Sequence, residues 1–250
     1  MFNNITIGPI TLHMYGMMIA IGFASALFLS LSRAKKRGLN EDIVYGIFFC
    51  AIVGGIVGAR LLFYIVELPE IIKEPSILWR FKEGYVVYGG IIGGVLCSML
   101  YCKKKKEIFA DYFDLVMPAV AMAQGFGRLG CFFAGCCYGR ETDSFFGITF
   151  HNSFYAPNGV KLIPTQLMSS AGDFVIAGIL LWYASKKPKR MCVGAMYMLL
   201  YGIGRFSIEF FRNDYRGSIG FLSTSQLISV FIVLIGAALY IRAQLTLNEQ

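Results

Sequence analysis

The run Ile43 to Val66 reads IVYGIFFCAIVGGIVGARLLFYIV, twenty-four residues of which only Arg60 is charged. A helix needs about 20 mostly apolar residues to cross the hydrocarbon of a bilayer, so this segment alone predicts a membrane span. Six further blocks have the same character: Leu12 to Ser32, Tyr85 to Cys102, Leu115 to Tyr138, Gln166 to Ala184, Met191 to Phe211 and Gln226 to Ile241. The 250-residue chain as a whole is 56% hydrophobic and 15% charged, against about 25% charged in soluble domains. That composition excludes intrinsic disorder, and seven cysteines in this length are too sparse for a disulfide scaffold. The expectation is an all-α, polytopic integral membrane protein with about seven transmembrane helices in a single domain over 1–250. The fourth block, glycine-rich and carrying Arg128, is expected to be broken or partly re-entrant.

Basic residues set the orientation, because short cytoplasmic loops retain Lys and Arg. Arg33, Lys35, Lys36 and Arg37 follow the first block, Lys103 to Lys106 the third, and Lys186, Lys187, Lys189 and Arg190 the fifth. The alternation puts the amino terminus outside and the carboxyl terminus inside. A small extracytoplasmic loop region near 139–165 follows from the same pattern. The net charge of +8 reads as anchorage to anionic lipid rather than as a nucleic-acid surface. Thr6 to Leu12 lacks a positive leader and a small-residue cleavage site, so the first block is expected to stay in place.

Ionisable groups inside spans cost about 2.5–3.5 kcal/mol each on insertion scales and are functional by default. Arg60, Arg128 and Arg205 meet that description, each on a different block and all toward the outer side. Glu209 and Arg212 follow Arg205 at helical spacing, forming one stripe. A guanidinium keeps its charge when desolvated and matches phosphate geometry, so such a cluster suits a phospholipid head group. Structural readings compete: Arg60 and Arg212 snorkelling outward, and Glu209 pairing Arg205 to hold two helices. Asp111, Asp114 and Asp173 are expected to cap helices or face water.

Most of the 28 glycines read as close-packing positions, as in Gly54 with Gly58 or Gly89 with Gly93. The run Gly125, Gly127, Gly130, Gly135 and Gly139 is denser and suggests backbone N–H groups exposed to an anion. Cys131, Cys136 and Cys137 share that stretch. Their C-x4-C-C spacing is not a standard zinc pattern and supplies no obvious fourth ligand, so no metal is expected there; packed thiols or a redox-sensitive pair fit better. His13, at the outer end of the first block, and His151, in the outer loop, are the two histidines, and either could serve as a base.

The stretch from Gly127 to Arg140, GRLGCFFAGCCYGR, resembles the signature of the prolipoprotein diacylglyceryl transferases. Other pieces match in order: Gly8-Pro9, Leu12-His13-Met14-Tyr15-Gly16, Gly58-Ala59-Arg60-Leu61, Tyr88-Gly89-Gly90, Ile163-Pro164-Thr165-Gln166-Leu167, Tyr201-Gly202, Arg205-Phe206 and Glu209-Phe210-Phe211-Arg212. The resemblance implies transfer of diacylglyceryl from phosphatidylglycerol to the lipobox cysteine in a prolipoprotein signal peptide. It implies no cofactor and a location in the bacterial plasma (inner) membrane. By motif, Arg128, Arg205, Tyr88 and Tyr15 are expected in catalysis. Arg60, Arg128, Gly139, Arg205, Glu209, Arg212 and His13 are expected to contact substrate, with the two central arginines on the lipid phosphate, Tyr15 and Gly139 lining the pocket, and Glu209 fixing the arginine.

Three positions depart from the pattern. The family's usual histidine before Gly-Gly is Tyr88, a phenol with a reference pKa of about 10 and a poor base at neutral pH. Cys131 and Cys136 stand where asparagine and glutamate are usual. These differences suggest a divergent branch that differs in its acceptor, or even in its donor. Two other classes compete: a membrane thiol oxidoreductase using Cys131, Cys136 and Cys137, and a lipid or anion transporter.

Overall fold

The computed structural model describes residues 4–7, 10–80, 84–213, 218–219 and 221–245. Gly8 and Pro9, part of the family resemblance, lie outside them. Among the described residues seven helices have 18 residues or more: α1 (Met14–Arg37), α2 (Glu41–Val66), α4 (Val87–Lys105), α5 (Phe109–Ala134), α6 (Thr165–Ser185), α7 (Cys192–Glu209) and α8 (Thr224–Leu245). Each coincides with one apolar block. A six-residue helix, α3 (Leu68–Lys73), had no counterpart in the periodicity. Five helices, α1, α2, α5, α6 and α8, are long and apolar enough to cross a membrane. The chain is an all-α polytopic membrane protein.

Local chemistry explains the boundaries. The Asn40 side chain accepts a hydrogen bond from the Asp42 amide at 2.9 Å and caps α2, whose first turn carries Glu41 and Asp42 against the helix dipole. Basic residues end α1 (Lys35, Lys36 and Arg37) and α4 (Lys103, Lys104 and Lys105), where the dipole favours cations. The first span starts later than expected, at Met14. Leu12 and His13 belong instead to β2 (Ile10–His13), which pairs antiparallel with β1 (Asn4–Ile7).

The chain divides into two compact units, Leu31–Tyr112 and the combination of Met1–Ser30 with Phe113–Gln250. In the unit Leu31–Tyr112, α2 and α4 touch backbone to backbone. A Cβ on Gly58 would collide with the Gly89 carbonyl, and one on Gly93 with that of Gly54. Glycine is therefore obligatory at the crossing, as small-residue spacing in membrane helices implies.

In the other unit, α5 corrects two expectations. It runs unbroken from Phe109 to Ala134 despite Pro118 and three glycines. Amides in its interior are committed to the helical ladder, and Gly135 and Gly139 donate to Phe132 and Ile163, so the glycine run is not a nest of open N–H groups. Its glycines serve packing: Gly125 faces the Phe174 ring of α6, and Gly130 faces Tyr15 of α1. Ala121, Ile176, Ala177, Leu180 and Val193 form the core among α5, α6 and α7. Asp114 caps α7 from α5 by accepting from the Gly194 amide at 2.7 Å. Between α5 and α6, β3 (Ile148–Thr149) pairs with β4 (Lys161–Leu162) over a small core of Phe150, Ala156 and Leu162.

Candidate active site

Helices α5, α6 and α7 each contribute a charged side chain to one partly open cavity of about 120 Å³. Arg128 comes from α5, Asp173 from α6 and Arg205 from α7, with Tyr201 on the same wall. Gly172 and Gly204 also line it, and a Cβ at either would meet nothing within 4 Å. Their missing side chains keep the cavity open. Tyr201 stacks on Tyr197 with ring centroids 5.6 Å apart, and the Tyr197 hydroxyl donates to Gln124 Oε1 at 2.8 Å, which fixes that wall.

Arg205 is held from two sides. Its Nη2 donates to Ser225 Oγ at 2.8 Å, and its Nη1 lies 2.7 Å from Glu209 Oε2. The second contact is close but off the hydrogen-bonding angle, so it acts as an ion pair. Glu209 also accepts from Ser223 Oγ at 3.1 Å and lies 3.8 Å from Arg212 Nε. One buried carboxylate thus sits between two guanidiniums, so the Arg205, Glu209 and Arg212 cluster is net positive.

Asp173 was missed as a site residue. It is not at a water-facing span end but buried, within electrostatic range of both Arg128 and Arg205. The signal was present in the sequence: a carboxylate at the eighth position of an apolar block carries the same cost as the arginines.

The remaining expected residues fall in different places. Tyr15 packs against Gly130 and lies within electrostatic range of Arg128 and of the three clustered thiols. His13 is exposed at the end of β2. Gly139 does not line the cavity as expected. It is buried in a seam where its amide donates to the Ile163 carbonyl at 3.0 Å and its backbone bridges to Arg212. A Cβ there would sit 2.6 Å from the Ile163 oxygen.

Arg60 and Tyr88 belong to the unit Leu31–Tyr112. Arg60 neither snorkels nor offers an open fork. Its Nε donates to the Tyr64 hydroxyl at 2.8 Å, Nη1 to the Gly84 carbonyl at 3.1 Å, and Nη2 to the Ile77 and Leu78 carbonyls at 3.2 Å. The guanidinium also lies over the Phe63, Tyr64 and Tyr85 rings. These bonds, three to main-chain carbonyls and one to the Tyr64 hydroxyl, tie the guanidinium to its own unit. Tyr88 is exposed on α4.

The last turn of α5 carries Cys131, and the turn that follows carries Cys136 and Cys137. Cys136 N donates to Cys131 O, and Gly135 N to Phe132 O; Gly135 is left-handed at φ 73°. This is a Schellman motif, which brings the side chains of its first and last residues together, here Cys131 and Cys136. Two α6 side chains pin the turn. Thr165 Oγ1 donates to the Cys137 carbonyl and Gln166 Nε2 to that of Cys136, both at 2.8 Å.

A family model described as prolipoprotein diacylglyceryl transferase matches residues 3–242. Among curated relatives, a phosphatidylglycerol--prolipoprotein diacylglyceryl transferase of Clostridium tetani is 49% identical over 89% of each chain. One from Clostridium perfringens, carrying the same name with the suffix 2, is 46% identical over 92% of this chain and 90% of its own. One from a Marinomonas strain is 36% identical over 98% and 93%. With a match running nearly from end to end and including every helix of the cavity, the chain belongs to the prolipoprotein diacylglyceryl transferase family.

Proposed function

We propose that the cavity shared by Arg128 and Arg205 holds the phosphate of phosphatidylglycerol during transfer of its diacylglyceryl group to prolipoprotein. The single observation that carries this reading is two arginines from different helices lining one small cavity. Its size suits a polar head group, with the acyl chains outside among the bilayer lipids. The chain transfers diacylglyceryl from phosphatidylglycerol to prolipoprotein.

The acceptor is the lipobox cysteine of a signal peptide, reached at the outer leaflet of a bacterial plasma membrane. Its thiol loses a proton to solvent, and the thiolate sulfur attacks the glyceryl carbon that bears the phosphate ester. A C–S bond forms as the C–O bond breaks, and glycerol phosphate departs with the electron pair. Negative charge at the phosphate therefore grows along the reaction. Donors already fixed around that position stabilise the transition state without reorganising, and Ser225 and Glu209 fix Arg205 in this way. Asp173 opposes over-tight binding of the doubly charged product. In this reading the chain crosses the membrane seven times with its amino terminus outside, as the basic clusters suggest, and the cavity lies on the acceptor's side.

The test is transfer of labelled diacylglyceryl to a lipobox peptide in phosphatidylglycerol vesicles. Arg128→Ala and Arg205→Ala are expected to abolish transfer. Normal transfer by both variants contradicts the assignment.

A further inference from the structure

The Sγ atoms of Cys131, Cys136 and Cys137 all lie within 4.8 Å of one another, and the Cys136 thiol donates to the Cys131 carbonyl at 3.7 Å. Two sulfurs bound to one tetrahedral zinc at about 2.3 Å each stand about 3.8 Å apart, so small side-chain shifts would bring all three onto one ion. The backbone already bears the cost of the convergence. Gly135 and Cys137 adopt left-handed φ values of 73° and 62°, and for cysteine that conformation is uncommon and points to function. The Thr165 and Gln166 hydrogen bonds to the turn's carbonyls hold this geometry. Gln166 is buried, and its Oε1 has no hydrogen-bond partner, so the amide that braces the turn keeps an acceptor for a bound group.

We propose that Cys131, Cys136 and Cys137 form a three-thiolate site for a thiophilic divalent ion, Zn²⁺, whose fourth position receives the acceptor thiol. The spacing lacks a fourth protein ligand, and three protein ligands with an open position are the mark of a catalytic rather than a structural zinc site. Thiolates select this class of metal over hard cations. Three thiolates and one zinc ion carry a net charge of −1, and Arg128 lies within electrostatic range of Cys131 and Cys137 to balance it.

The second half of the proposal rests on the transferase reading; the metal site does not. A thiol that coordinates zinc is held deprotonated, so the acceptor's proton leaves to solvent on binding. The metal-held sulfur then displaces glycerol phosphate from the glyceryl carbon, and the thioether product, a weaker ligand, dissociates. Ionisation of the acceptor is the task for which the Tyr88 phenol is poorly suited. A thiol cluster in place of the usual asparagine and glutamate would perform it by coordination.

The full chain, purified in detergent, tests this by metal analysis after dialysis and by absorbance after replacement with Co²⁺. One tightly held zinc per chain and a thiolate-to-cobalt charge-transfer band are expected. Both are expected to be lost in Cys131→Ser and in the double variant Cys131→Asn with Cys136→Glu, which restores the family's usual residues. Retained binding of glycerol phosphate shows that these variants are folded. No metal in the unsubstituted chain, or full metal content in the variants, overturns the site. A lipobox peptide should shift the cobalt band where its Cys→Ser analogue does not; an unchanged band overturns the acceptor's role. A band that responds to the peptide in a chain unable to use phosphatidylglycerol overturns the donor reading alone.

Discussion

Arg205 and Glu209 form a buried ion pair one helical turn apart on α7, Nη1 to Oε2 at 2.7 Å, with side chains 11% and 8% exposed. Arg212 approaches the same carboxylate oxygen at 3.8 Å. Removing the carboxylate charge leaves two guanidiniums facing each other in a dry environment, and breaking a buried pair costs about 3–5 kcal/mol. Glu209→Gln is therefore expected to lower the unfolding temperature and to reduce transfer, while Glu209→Asp retains part of both. Thermal unfolding in detergent beside a transfer assay measures this. An unchanged unfolding temperature in Glu209→Gln would show that the pair carries no structural load.

Gly204 separates the effects of space and of charge. Nothing lies within 4 Å of a Cβ built there, and Gly→Ala inside a helix gains roughly 0.5–1 kcal/mol. Gly204→Ala is expected to be neutral or slightly stabilising. Gly204→Leu should fill the cavity, keep the fold and raise the KM for phosphatidylglycerol. Unaltered donor KM in the leucine variant would mean that the lipid head lies elsewhere.

Asp173 shares the cavity with both arginines. Its neutralisation in Asp173→Asn leaves the site more cationic, so donor and product should both bind more tightly. The expected signature is a lower KM with a lower kcat, and single-turnover transfer less affected than steady-state turnover, because product release becomes slower. Weaker donor binding in this variant would assign Asp173 a different task.

Much of this architecture was legible in the residues, and the rest was hidden for identifiable reasons. Long apolar blocks predicted the helices because the bilayer sets one length scale for all of them. The Arg205–Glu209 pair could be seen because i, i+4 neighbours share a helix face. The partners of Arg60 could not be read from the residues, because the Ile77, Leu78 and Gly84 carbonyls lie 17 to 24 residues away, two of them in a short 3-10 helix that carries no helical periodicity. The continuity of α5 was missed because glycine weakens a helix on average without ending it where packing compensates. Convergence of the thiols depends on Gly135 serving as a left-handed helix terminator. That signal is present in a glycine following a long helical run, but the position of Cys137 needs a second left-handed residue that sequence does not announce.

The most direct test of the two-arginine site is the affinity of glycerol phosphate for the purified chain, for Arg128→Gln, for Arg205→Gln and for the double variant, by calorimetry. Each single change is expected to weaken binding about tenfold or more, as loss of a charged hydrogen bond implies. Because both guanidiniums grip one phosphate, the double variant should lose less than the sum of the singles, with a coupling of about 0.5–3 kcal/mol. Strictly additive losses, or singles that bind as tightly as the unsubstituted chain, would contradict a phosphate held between Arg128 and Arg205.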